Sequence, residues 1–219
     1  MSKTIDVKEI IKLARRHSLA PFSPRDELLI ALTGLAYFSA SELSRMQVKD
    51  IINERTGIAL DGYLPSRLGG NHFERYFFVG EKTYLRECVE RYIEWRKENV
   101  LGCIKENAYC GLNPESCFIV KNDGTEFTLN YKSKDKGSDL TQPLQMQRLF
   151  KTYYLSEGVS IVSLMDSFIV NFWNIKSQQG TAQAIRDLMG MTGLTAETLR
   201  RKCIRKQDSI QDILIGLYK

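Results

Sequence analysis

Little in this chain announces bound chemistry. It holds only two histidines, His17 and His72, and five cysteines among 219 residues. Cys103, Cys110 and Cys117 recur at intervals of seven. Structural zinc sites bring cysteines in closer pairs and usually add histidines, so that spacing is not read as a metal site. No metal and no cofactor is expected. The cysteine count is odd, and the amino-terminal M-S-K-T-I-D lacks a basic-then-apolar targeting pattern. Reduced thiols in a cytoplasmic protein are therefore expected. No apolar run approaches the ~20 residues that a membrane helix needs, which excludes a membrane from the expected partners. Neither charge sign dominates: 31 Lys and Arg stand against 26 Asp and Glu, for a net charge of +5. Such a balance permits a polyanionic partner without demanding one. No repeat, low-complexity tract or linker divides the chain. One domain over residues 1–219 is expected, with 208–219 as a terminal helix.

What is present reads mainly as helix. Asp6 followed by Glu9 marks a helix start, and Ile10, Ile11, Leu13 and Ala14 give it an apolar stripe ending near Arg15 and Arg16. Ser23-Pro24-Arg25-Asp26 opens a second helix, with serine at the cap, proline in the first position and an acid in the first turn. It should run to about Tyr37. Ser39-x-x-Glu42 is a capping box that opens a short helix through about Met46. From about Ile58 turn residues and β-formers take over, and a small antiparallel hairpin or three-stranded sheet is predicted, with Tyr76-Phe77-Phe78 as a buried strand. Residues 84–97 form a strongly amphipathic helix, with Leu85, Cys88, Val89, Tyr92 and Ile93 on one face. A short strand is predicted within 117–125, a polar loop over 130–139, and a helix over 143–155. The last third is almost all helical, with turns near Gly158, Gly180 and Gly193. The fold class is mainly α with a small antiparallel β-sheet (α+β).

Three segments carry a resemblance. They are L-L-I-A-L-T-G-L at 28–35, S-E-L-S-R-M-Q-V-K-D-I at 41–51, and A-I-R-D-L-M-G-M-T-G-L-T-A-E-T-L-R-R at 184–201. In order, with the small sheet and the amphipathic helix between them, they resemble the catalytic domain of the tyrosine recombinase (phage-integrase) family over roughly residues 5 to 205. The resemblance implies that domain's fold. The family's separate amino-terminal, DNA-clasping domain has no room ahead of the first matching element. Family members cut DNA with a tyrosine that attacks the scissile phosphate. Two arginines and His or Trp side chains stabilise the charge that builds on phosphorus, and a hairpin lysine protonates the leaving 5′-oxygen. Position by position, this chemistry is missing here. Counting from Gly34 puts Ala36 at the first arginine, and counting back from Glu42 puts Ser39 there. The His-x-x-Arg motif falls on Val162 and Met165, ahead of Phe168. The L-G-H histidine falls on Met191, and the tyrosine on Leu199 or Arg200. Only the hairpin lysine has a loose substitute, Arg67 or Lys82, and arginine is a poor general acid because it hardly deprotonates. Losing one charge-stabilising donor costs roughly 2.7–4 kcal/mol of barrier stabilisation. A site lacking all of them has no nucleophile left to accelerate, so the chain is expected not to be an enzyme.

Other clusters suit binding. Arg200, Arg201, Lys202, Arg205 and Lys206 form a basic cluster around a helix, suited to phosphate contact or to a solvated face. Lys132, Lys134 and Lys136 alternate in a loop beside Asp135, as phosphate contacts or as a solubilising loop. The stretch 184–201 also fits a helix-turn-helix, in which Thr195, Glu197, Thr198 and Arg201 would face bases. In the terminal segment Ile210, Ile213, Leu214 and Leu217 share a stripe after Asp208. That stripe packs on its own domain or, as in the family, on a neighbouring subunit. Trp173, Phe168 and Phe172 read as core, and His72 as a surface residue. Gly80-Glu81-Lys82-Thr83 does not match a phosphate loop, because Glu81 separates glycine from lysine. The expected function is non-enzymatic DNA binding by a recombinase-like protein, as regulator or accessory factor of a mobile element, plasmid or phage. Double-stranded DNA is the expected partner, with a second copy or a partner recombinase engaged through the terminal helix. Two other readings stay open. One is a protein–protein module that has lost both catalysis and DNA binding. The other is an active DNA integrase or recombinase with relocated residues, for which Tyr218 is the terminal candidate nucleophile.

Overall fold

The computed structural model describes residues 4–19, 22–59, 61–65, 68, 74–127, 141–154 and 158–204. Nine α-helices lie among these residues. α1 spans Val7–Arg16, α2 Pro24–Ala36, α3 Ala40–Arg45, α4 Val48–Ile51 and α5 Tyr84–Glu98. α6 spans Thr141–Tyr154, α7 Ile161–Lys176, α8 Thr181–Thr192 and α9 Ala196–Ile204. The caps legible in the sequence hold them. Asp6 accepts from Glu9 N at 2.8 Å, and Ser23 N–H and Oγ both donate to Asp26 Oδ2 at 2.9 Å. Ser39 N–H donates to Glu42 Oε2 at 2.7 Å, while Glu42 N–H donates to Ser39 Oγ at 3.3 Å, which closes the expected box. No helix among the described residues is long and apolar enough to cross a membrane.

α2 is the central rod. From Leu28 it is apolar or small on every side, so residues 28–34 and Ala36 are all buried, as a helix without a polar face must be. It packs against α1, α5 and α7. Gly34 permits the approach of α1: a Cβ there would stand 2.9 Å from Ile10 Cγ2, closer than carbons pack. The charges of its first turn are satisfied in place. Arg25 pairs with Asp26 at 2.8 Å, and Glu27 accepts from Arg91 Nη2 at 2.7 Å and Tyr84 Oη at 2.6 Å. The apolar residues form two clusters. The larger gathers α1 to α6 and the start of α7 around Leu28, Leu32, Leu43, Tyr92 and Phe118. The smaller holds Tyr37, Phe168, Ile169, Trp173, Leu188, Leu199 and Cys203. α7 crosses from one to the other.

Of the two expected forms, the antiparallel hairpin is the one found among the described residues, and a second, shorter ribbon precedes it. There are two antiparallel ribbons: β1 (Ile52–Asn53) with β2 (Gly57–Ile58), and β3 (Asp61–Leu64) with β4 (Arg75–Phe78). In the second, Asp61 faces Phe78 and Leu64 faces Arg75. A two-stranded ribbon is covered on one face only, so side chains alternate in and out. Phe77 is therefore buried, but Phe78 is 50% exposed, against the expectation that the whole triplet is buried. The strand expected within 117–125 is also absent; a single bridge, Gln47 to Cys117, is followed by bends and a turn. α5 supplies the reason. Tyr92 Oη donates to Phe118 O and accepts from Val120 N, each at 3.0 Å. Arg96, wholly buried, donates from Nη1 to Cys117 O at 3.0 Å and Phe118 O at 3.1 Å, and from Nε to Leu101 O at 3.0 Å. Side chains of one helix thus take the groups that a strand ladder would use.

The beginning of the chain is tied to α7. Ile5 N–H donates to Ser167 Oγ, and Asn171 Nδ2 donates to Ile5 O, both at 3.0 Å. Among the residues outside the description are the 130–139 loop, Arg67, His72 and the terminal stripe of Ile210, Ile213, Leu214 and Leu217.

Because Arg96 satisfies three carbonyls at once, Arg96→Met should lower unfolding stability by about 3 kcal/mol, read as a lower urea midpoint. A midpoint unchanged from the parent would mean that the 101–127 segment is held by other contacts.

Candidate functional site

The segments carrying the resemblance meet around one cation that sequence reading missed. Arg75 lies on the inward face of β4, in register with Leu64 and two residues from buried Phe77. It is 5% exposed. Its Nε donates to Glu42 Oε1 on α3, Nη1 to Met191 O on α8 at 2.8 Å, and Nη2 to Tyr37 O at the end of α2 at 3.1 Å. The guanidinium also lies over Phe38, 4.9 Å from the ring centroid. Tyr37 caps α2 with φ of 62°. A left-handed tyrosine costs roughly 1–2 kcal/mol; here the turn aims its carbonyl at Arg75, which offsets that cost. Glu42 works twice, closing the α3 cap with one oxygen and pairing Arg75 with the other. A cation in alternation with Phe77 and Val79, on the same side of the strand, was the signal available in the sequence.

The positions to which the resemblance assigned catalysis are placed as follows. Ala36 is buried and Ser39 is the α3 cap. Val162 is 54% exposed on α7. Met165 and Met191 pack against the smaller cluster, and Leu199 lies fully inside it. Arg200 is exposed. Met165, Met191 and Leu199 therefore meet in one apolar environment. Tyr37 borders it and packs on Phe168, with ring centroids 5.8 Å apart. Burial pushes the Tyr37 phenol up to about 12, against the opposing pull of Arg75. Trp173 is buried there as expected, and Phe172 is half-buried.

The DNA-contact candidates divide. α8 and α9 form a helix pair joined by a turn in which Gly193 takes φ of 68°. Thr195 Oγ1 accepts from Thr198 N at 3.3 Å, which caps α9, and the Thr198 hydroxyl lies 3.0 Å from it. Arg200 points to solvent, and Arg201 is 58% exposed with Glu197 3.8 Å away. Lys202 is instead ion-paired with Asp166 of α7, anchoring α9. Arg67, Lys132, Lys134, Lys136, Arg205 and Lys206 lie outside the described residues. Lys82 is exposed in the turn before α5. Among the described residues no group of three or more His, Cys, Asp or Glu could hold a metal ion.

A phenol whose folded pKa lies above its unfolded value of 10 holds its proton longer in the native state. Its contribution is complete below pH 10 and is lost as pH rises towards about 12. Denaturant titrations should therefore show stability falling across that window, and Tyr37→Phe should make the fall shallower by up to about 1 kcal/mol per pH unit. Parallel curves for the two proteins would refute a native-state origin at Tyr37.

No protein-family model and no curated protein sequence matches the chain. Among solved structures it is similar to the one described as the crystal structure of XerA recombinase, with a TM-score of 0.61 and 12% sequence identity. The match covers 100% of this chain and 66% of that one, so the chain spans just under two thirds of that recombinase's length. At this identity the likeness is one of fold: a mostly helical frame with two small antiparallel ribbons, which is a tyrosine-recombinase-like fold.

Proposed function

We propose that this chain is a non-enzymatic DNA-binding protein on a recombinase-like frame, a regulator or accessory factor of a mobile element, plasmid or phage. The observation that carries the reading is the contrast between its centre and its surface. In the centre, Met165, Met191 and Leu199 pack among apolar side chains, and Arg75 is engaged by Glu42 and two carbonyls. Among the described residues, the groups there that could attack a phosphate, the Tyr37 phenol and the Cys203 thiol, are buried with their protonated forms favoured, and the Arg75 guanidinium is already engaged. On the surface, α9 presents Arg200 and Arg201 outward. Both are planar donors suited to phosphate oxygens. The two arginines stand side by side in the second half of the short helix α9, where they can reach the phosphates of a duplex backbone.

Fluorescence anisotropy of a labelled generic duplex over a salt series tests the binding. Affinity should fall steeply with salt, and the Arg200→Ala/Arg201→Ala double variant should flatten the logarithmic slope by about two. Absence of binding at low salt would sink the reading and favour a protein partner.

A suicide duplex, nicked near the cleavage position, tests the chemistry. No covalent protein–DNA adduct should form on a denaturing gel. An adduct that disappears in Tyr218→Phe would overturn the non-enzymatic reading.

A further inference from the structure

A second surface lies on the outer side of β4, bordered by Met191, whose carbonyl meets Arg75. Tyr76, Phe78 and Phe172 line a cleft of about 480 Å³ between the β3–β4 ribbon, the end of α7 and the end of α8. That volume falls within the ~300–1,000 Å³ of small-ligand sites. Lys176 and Arg186 stand at its rim. Lys176 Nζ approaches only Gln179 Oε1, at 3.5 Å, and Arg186 Nη2 donates to Gln183 Oε1 at 2.7 Å. Neither cation has a carboxylate partner among the described residues. The cleft's one acid, Asp187, accepts from Gln183 Nε2 at 2.6 Å.

Gly190, an exposed residue of the cleft wall, adds a separate observation. Gly190 lies inside α8, where glycine is disfavoured relative to alanine. Beyond its own helix, no atom of the described residues comes within 4 Å of where its Cβ would be. No neighbour needs the room, unlike at Gly34, where Ile10 does. A helical glycine facing open space beside aromatic rings lets a flat ligand approach the backbone closely.

We infer that this cleft binds an unpaired nucleotide of a single-stranded nucleic-acid segment. The base stacks against Phe78 and Phe172 over Gly190, and the flanking phosphates meet Lys176 and Arg186. Aromatic faces with unpaired cations are the chemistry that recognises single strands without reading sequence. The site is distinct from the α9 arginines and shares with the proposed function only the class of ligand.

The test uses the full chain and a fluorescein-labelled twelve-nucleotide single strand of thymines bearing one 2-aminopurine, beside a duplex of equal length. Binding should quench the 2-aminopurine. Phe78→Ala and Gly190→Leu should each weaken single-strand affinity about tenfold, and Arg186→Gln about threefold, with duplex affinity unchanged. Gly190→Ala should raise the melting temperature while weakening single-strand binding, a pairing that a purely structural role does not produce. Arg200→Ala/Arg201→Ala should do the converse, lowering duplex affinity and sparing the single strand, so the two readings fail separately. The inference is overturned if the parent protein does not bind the single strand at low salt, or if cleft variants bind it as well as the parent. It is equally overturned if Phe78→Ala changes the sedimenting species instead of nucleotide affinity, which would assign the cleft to a protein partner.

Discussion

The burial of the Arg75 guanidinium governs how the two halves of this molecule fit together. A cation taken out of water is tolerated only when its donors are met by well-placed acceptors. Here those acceptors come from three places far apart in sequence: the carbonyl ending α2, the carboxylate of α3, and the carbonyl of Met191 near the end of α8. Displacing any one of them leaves a buried charge uncompensated. The left-handed turn at Tyr37, the cap at Ser39 and the seating of α8 against β4 are thus parts of one arrangement. It also joins the two apolar clusters, since Tyr37 belongs to the smaller and Phe38 and Leu43 to the larger.

This arrangement shapes what the protein can offer a ligand. In a recombinase-like frame, charge in the centre would have to remain available to a phosphate. Here the central cation is held by the Glu42 carboxylate and two carbonyls, and it lies over the rings of Tyr37 and Phe38. Among the described residues, exposed cations stand instead on α9, at Arg200 and Arg201, and at the rim of the cleft beside β4. Lys202 marks the boundary between the two regimes: it is adjacent in sequence to Arg201, yet its charge closes α9 onto Asp166.

Local rules made much of the frame legible. The starts at Asp6, Ser23 and Ser39 were written in side chains that satisfy the first backbone donors of a helix, a contact made within three residues. The amphipathic face of α5 and the turn at Gly193 were legible for the same reason. The failures came where distant side chains decided the outcome. The 117–125 stretch reads as a strand because Phe118, Ile119 and Val120 are β-formers, but Arg96 and Tyr92 claim its backbone groups from twenty or more residues away. Tyr76-Phe77-Phe78 reads as wholly buried from composition, while the one-sided cover of a two-stranded ribbon turns Phe78 out. The resemblance assigned positions one by one along α2, α7, α8 and α9 without relating them in space, and Arg75, on which the Tyr37 and Met191 carbonyls converge, matched no motif.

The tether at Ile5 bears on the order of events in folding. Both backbone groups of this residue are satisfied by side chains of α7, 162 and 166 positions further along. α1 can form early as a local helix, but its leading segment has no final partner until residue 171 has left the ribosome. Closing so long a loop carries a large entropic cost before any contact compensates for it. The segment around Ile5 is therefore among the last to reach its native place, and its seating waits on the synthesis of α7.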